Sequence, residues 1–153
     1  TDSEENRKVK AALNHGFTAL LCIGETLEQK NYGISEEVLQ MQLKIGLNEV
    51  PSSQIEKLWI AYEPVWAIGV NGIPATVGYA EKMHFAIKRC LHELYGDESK
   101  KIPVLYGGSV NPENADDLIV QPSIDGIFTG RSAWNADAFD QLIRSALNTY
   151  QDR

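Results

Sequence analysis

Leu58-Trp59-Ile60-Ala61-Tyr62-Glu63-Pro64 is the stretch from which the fold can be read. Its run of apolar and aromatic residues lacks the polar alternation of a half-exposed strand, and so predicts a parallel β-strand covered on both faces. A glutamate and a proline then end it. Three other runs repeat the pattern along the chain: residues 17–23 closed by Gly24, 103–106 closed by Gly107-Gly108, and 126–129 closed by Gly130.

Between these runs the apolar period becomes helical. Ser35 is placed to cap a helix carrying Val38, Met41, Leu43, Ile45 and Leu47, with Pro51 beyond its end. A second helix is expected from about Gly78 to Tyr95, with Ala80, Met83, Ile87, Cys90, Leu91 and Leu94 on its apolar side and Gly96 at its stop. Asn111-Pro112 predicts a cap followed by a first-turn proline, opening a short helix over 113–119. The last helix starts near Asp137 and carries Phe139, Leu142, Ile143, Ala146 and Leu147. Alternation of strand and helix implies right-handed crossovers and an α/β fold of parallel βα units with four strands. No linker or charge block divides residues 1–153, so one domain is expected. The chain opens on a helix, Glu4 to about Asn14, that should follow a strand, and four strands leave two edges unpaired. It therefore reads as truncated.

Composition narrows the function classes. With 153 residues, 43% of them hydrophobic and 23% charged, wholesale disorder is excluded. No run approaches the ~18 apolar residues of a membrane span. The start, Thr1-Asp2-Ser3-Glu4-Glu5, lacks the basic and apolar regions of a signal peptide, so a cytoplasmic protein is expected. Against 14 Lys and Arg stand 21 Asp and Glu, a net charge of −7 that disfavours nucleic acid or an anionic membrane as partner. Cys22 and Cys90 read as two buried thiols, and no Cys/His spacing suggests a metal. His15, His84 and His92 are unclustered and read as solvated helix-face residues.

Ligands of parallel α/β folds bind at the carboxyl ends of the strands, which directs attention to Gly24-Glu25, residues 63–76, 107–111 and 130–135. Glu63 ends its strand where partial withdrawal from water suits a carboxylate to general-base work, although a strand-end ion pair is the plainer alternative. Pro64-Val65-Trp66-Ala67-Ile68-Gly69-Val70-Asn71-Gly72 has a stiff start, an apolar body and a glycine-containing far end, the makings of a lid. Gly107-Gly108-Ser109 and Gly130-Arg131-Ser132 are glycine turns on successive strands, where backbone N–H groups can approach a phosphate.

These residues carry a resemblance. Ala61-Tyr62-Glu63-Pro64-Val65-Trp66-Ala67-Ile68-Gly69 resembles the signature of the triosephosphate isomerase family, and Leu21-Cys22-Ile23-Gly24-Glu25 and Tyr106-Gly107-Gly108-Ser109-Val110 resemble two further blocks of it in the same order. The resemblance runs the length of the chain and implies the C-terminal half of a (βα)8 barrel; a whole barrel needs at least about 200 residues. It implies that Glu63 is the base shuttling a proton between two carbons of a ketose/aldose phosphate, most simply dihydroxyacetone phosphate and glyceraldehyde 3-phosphate, without cofactor or metal. Residues 64–72 would be the lid, and Gly69, Ser109 and Gly130 would cradle the phosphate.

The family's electrophilic histidine and phosphate-facing lysine lie in the N-terminal part, and none of His15, His84 or His92 matches that histidine. Negligible turnover is therefore expected of this polypeptide alone, whose partner would be the absent N-terminal half-barrel or another copy of the chain. Two departures stand out: Gly130-Arg131 replaces the usual Gly-Gly, and Val70-Asn71-Gly72 replaces the usual Thr-Gly-Lys. The Arg131 side chain either lies in solvent or reaches the phosphate or the extra polar atoms of a longer, four-carbon ketose phosphate. A non-catalytic phosphate-binding α/β module, with Glu63 structural, is the alternative from another class. A different phosphosugar barrel enzyme explains the block 61–69 less well.

Overall fold

The computed structural model describes residues 1–69 and 71–151. Val70, in the expected lid, lies outside the described residues. Alternation within each strand decides which face meets the helices. Strand β1 (Ala19–Ile23) buries Ala19, Leu21 and Ile23 and turns Leu20 and Cys22 to the other side. Strands β2 (Leu58–Tyr62), β3 (Val104–Tyr106) and β4 (Gly126–Ile127) follow in sequence order as a parallel sheet.

Helix α1 (Asp2–Asn14) opens on a capping box of Thr1 with Glu4, and its Asn6 donates to the carbonyls of Gly46 (3.0 Å) and Asn48 (2.8 Å). Helix α2 (Leu27–Asn31) is a single short turn, whereas α3 (Ser35–Gly46) and α4 (Val77–Tyr95) are the long crossovers. Helices α5 (Ala115–Ile119) and α6 (Ala136–Gln151) complete the chain and pack on one another. The core lies between helices and sheet, where Leu43, Leu58, Ile60, Ile87, Val104 and Ile124 are wholly buried.

Register positions the site. Ile23 pairs with Tyr62, Tyr62 with Tyr106, and Tyr106 with Ile127, so the strands end level. The ladder continues one residue further: the amides of Glu63, Gly107 and Phe128 donate to the carbonyls of Ile23, Tyr62 and Tyr106 at 2.7, 2.8 and 2.7 Å. Three loops therefore leave the sheet in a row.

The α/β expectation holds, with corrections. The strands are not covered on both faces: Leu20 and Trp59, partners in register, are 38% and 41% exposed. Cys22 belongs to that open face and is exposed, not buried; Cys90 is buried as expected. His84 is wholly buried rather than solvated, packed against the rings of Tyr62 and Tyr106 at centroid distances of 5.7 and 6.0 Å. His15 and His92 are exposed.

Ser35 does not cap α3; it is the first helical residue, and its hydroxyl bonds the Tyr79 hydroxyl at 2.8 Å. Asn111 does not open a helix at 113 either. Its Oδ1 accepts from the amides of Glu113 and Asn114, both at 3.0 Å, forming a turn that delays α5 to Ala115. The expected runs 17–23 and 126–129 shorten to the ranges of β1 and β4. Helix α2, with its Thr26–Gln29 capping box, went unanticipated because five residues are too few to show a period.

Candidate active site

Glu63 follows β2 directly, half-buried, and its side chain lies across Gly107 at the end of β3. A methyl group at Gly107 would sit 2.6 Å from Glu63 Cγ and 3.0 Å from the Phe128 ring. A methyl at Gly24 would meet the Glu63 carbonyl oxygen at 1.9 Å. Only glycine on the strands to either side admits the glutamate in this position. Gln42 holds Gly24 in turn, accepting from its amide at 2.9 Å and donating to its carbonyl at 3.1 Å. On the open side, Glu63 and the Cys22 thiol line one shallow cavity. Partial desolvation of the sulfur and this negative neighbour push the thiol up to about 12.

Glu63 looks into a cavity of about 390 Å³ that Gly69, Ser109, Gly130 and Arg131 also line. The sheet register thus brings every expected site residue to one place. Ser109 holds a left-handed backbone (φ 39°), uncommon outside glycine. Asn114 braces it by donating to its carbonyl at 3.0 Å. The Ser109 hydroxyl donates to the carbonyl of Ala67, and the Arg131 guanidinium donates to the carbonyl of Gly69. Arg131 begins a 3-10 turn, Arg131–Ala133, whose Ser132 hydroxyl donates to Val110 at 2.5 Å.

Residues 64–69 leave the sheet as Pro64, a 3-10 turn Val65–Ala67, then Ile68 and Gly69. Val65 and Ile68 are exposed, although both are apolar. The near end is tied to Glu25, a carboxylate with no solvent exposure. Glu25 accepts from the Trp66 indole at 2.8 Å, the Tyr79 hydroxyl at 2.8 Å and the Tyr62 hydroxyl at 3.0 Å. A buried charge is tolerable only when so satisfied. Burial and the neighbouring Glu25 charge hold Tyr62 far above the usual phenol range, and burial chiefly pushes Tyr79 up to about 12. The ammonium of Lys30 stands 3.9 Å over the Trp66 ring and 5.2 Å from that of Tyr79.

Sequence reasoning placed Glu25 in a candidate loop but missed that it holds Trp66 of the loop after β2, with Tyr79 and Lys30 beside it. Glu25 follows an apolar strand after a single glycine, and its place in that strand-end loop was the one signal available. His84 lies behind the sheet among tyrosines and lines none of the described cavities. Burial pushes it down to about 3, so it is uncharged at neutral pH. No group of three or more metal-ligating side chains occurs among the described residues. Among the described residues, no helix is long and apolar enough to cross a membrane.

The profile of the triosephosphate isomerase family matches residues 1–146. This chain belongs to the triosephosphate isomerase family. Its parallel βα units form the C-terminal half of the family's barrel, with Glu63 and the three loops on the carboxyl rim. Within the family it is 49% identical to the L-erythrulose-1-phosphate isomerase of Rhizobium etli over 144 residues, 94% of this chain and 53% of that protein. Identity to the same-named protein of Rhizobium meliloti is 45% over 145 residues, 94% of this chain and 56% of the other. The triosephosphate isomerase of Chloroflexus aurantiacus is 43% identical over 144 residues, 94% of this chain and 57% of that enzyme. The chain thus spans about half the length of these curated relatives.

Proposed function

We propose that the full-length protein interconverts the aldose and ketose forms of a small sugar phosphate, with Glu63 as the base. Glu63 removes a proton from the carbon beside the carbonyl, leaving an enediolate, and returns it to the neighbouring carbon. Gly69, Ser109, Gly130 and Arg131 bind the phosphate, and residues 64–72 close over it to keep water from the enediolate. One observation carries the reading: the Glu63 side chain and both glycine turns border a single cavity beneath the lid. The electrophile that polarises the carbonyl comes from the other part of a single barrel domain to which residues 1–153 belong, in the cytoplasm. That part, or a second copy of the chain, covers Leu20 and Trp59 on the open face of the sheet. The 153-residue chain alone has negligible turnover, because a base without its electrophile cannot stabilise the enediolate.

Two substrates compete. The block 61–69 supports dihydroxyacetone phosphate and glyceraldehyde 3-phosphate. A four-carbon ketose phosphate is favoured by the names of the relatives at 49% and 45% identity and by the arginine on the cavity wall. Measuring kcat/KM of the full-length protein on both, with and without Arg131→Gly, decides between them. A drop confined to the four-carbon substrate selects the second; equal effects select the first.

The enzyme reading itself is tested with Glu63→Gln, expected to lower kcat by about 10²–10⁴-fold and to weaken phosphoglycolate binding. Phosphoglycolate bound equally by both proteins, with no turnover by either, would instead make this a phosphate-binding module with a structural Glu63.

A further inference from the structure

Arg131 is the one cationic side chain among the described residues that line the cavity. In the structure its guanidinium serves the lid: one N–H donates to the carbonyl of Gly69, 62 residues away in sequence. That carbonyl also accepts from the Gly72 amide at 3.3 Å. The Ala67 carbonyl, two residues earlier, is held by the Ser109 hydroxyl. Ser132, next to Arg131, bonds the Val110 carbonyl, so the loops after β3 and β4 are themselves joined. Lid and both phosphate loops form a closed frame around the cavity, and Arg131 is its far corner.

A guanidinium has five N–H donors in one rigid plane, so a bond to Gly69 leaves others for an entering anion. A charge-assisted hydrogen bond to a backbone carbonyl is also stronger than a neutral one. We propose that Arg131 is a positioning residue that latches the lid through the Gly69 carbonyl and, by sharing its guanidinium with a bound phosphate, couples closure of the lid to ligand binding. The latch stands on the contact itself; the coupling rests on the isomerase reading given above. A phosphate held on the same plane fixes the side chain, and the fixed side chain holds Gly69.

The test is hydrogen-exchange mass spectrometry on the full-length protein, following the lid peptide 64–73 with α4 as fold control. Without ligand, Arg131→Met is expected to speed lid exchange by about threefold or more, the loss of one hydrogen bond, with Arg131→Lys falling between it and wild type. With phosphoglycolate added, the lid slows in wild type and slows less in Arg131→Met. Equal lid exchange in wild type and Arg131→Met without ligand would overturn the latch. Equal phosphoglycolate protection in the two would overturn the coupling. If Arg131→Met disturbs α4, Arg131→Gly, which a turn already containing Gly130 can accept, takes its place with the same outcomes. Failure of the isomerase reading would show separately, as a full-length protein that turns over no sugar phosphate while Arg131→Met still loosens its lid.

Discussion

Gly107 and Glu63 are matched across neighbouring strands: the space a Cβ would occupy at 107 is taken by the glutamate, whose Cγ lies 2.6 Å from that point. The relationship is enforced by register, since the Gly107 amide is bonded to the Tyr62 carbonyl at 2.8 Å and cannot drift away. Alanine at 107 must therefore displace the carboxylate, because the backbone on both sides is fixed. Gly107→Ala is expected to lower kcat of the full-length protein by about 10²-fold, the scale on which a misplaced catalytic group loses rate. Overpacking should cost about 1–3 kcal/mol of stability. Steady-state kinetics and urea unfolding check this; unchanged kcat would mean that the base does not need this position.

The Glu25 network makes a second case. Its carboxylate satisfies three buried or half-buried donors, on Tyr62, Trp66 and Tyr79. Glu25→Ala takes from Tyr62 and Trp66 the acceptor they share, each at about 1–3 kcal/mol, leaves Tyr79 only Ser35, and frees the near end of the loop after β2. Urea midpoints should fall, and hydrogen exchange at residues 64–69 should rise more than that in α4. A loss of stability without faster lid exchange would make Glu25 a fold element and not a lid anchor.

Cys22 is exposed yet should be unreactive. With the thiol pushed up to about 12 from an ordinary 9.0, the thiolate is scarce at pH 8. Iodoacetamide should label the folded 153-residue chain at Cys22 at least about a hundredfold more slowly than a free thiol of ordinary acidity. Glu63→Gln, which removes the negative partner, should speed the labelling. Peptide mass analysis reads both, and equal rates in the two proteins would show that Glu63 does not control the thiol.

His84 predicts a pH dependence. Burial lowers its folded-state value to about 3 from 6.5, so between those values the unfolded chain binds a proton that the folded chain refuses. Its contribution to stability is complete above about 6.5 and is lost as pH falls towards 3. The slope is at most about 1.4 kcal/mol per pH unit for one group. Urea unfolding at steps from pH 7 to 4 should show this slope flattened in His84→Phe, which keeps a ring between Tyr62 and Tyr106. An identical slope in the variant would assign the acid sensitivity elsewhere.

The strands, the loops that leave them and the place of Glu63 at a strand end were legible because each is written in consecutive residues. An apolar run ending in Glu-Pro or Gly-Gly announces itself locally, and a parallel sheet follows from the alternation of such runs with helices. Helix ends were less legible. Ser35 and Asn111 both have capping chemistry, but one is engaged by Tyr79 and the other by its own turn. The histidine at 84 looked like a surface residue because nothing in its neighbourhood shows that Tyr62 and Tyr106 close over it.

What the sequence determined by itself was the set of parts: a glutamate at the end of an apolar strand, an apolar loop bounded by proline and glycine, and two glycine turns. Which of these parts meet was decided only in three dimensions. Glu25 reaches Trp66 across 41 residues, Ser109 reaches Ala67 across 42, and Arg131 reaches Gly69 across 62. Such contacts depend on strand register, which sets neighbouring loops level at one edge of the sheet. A linear pattern records which residues can bond, but not which carbonyl or carboxylate the folded backbone brings within reach of them.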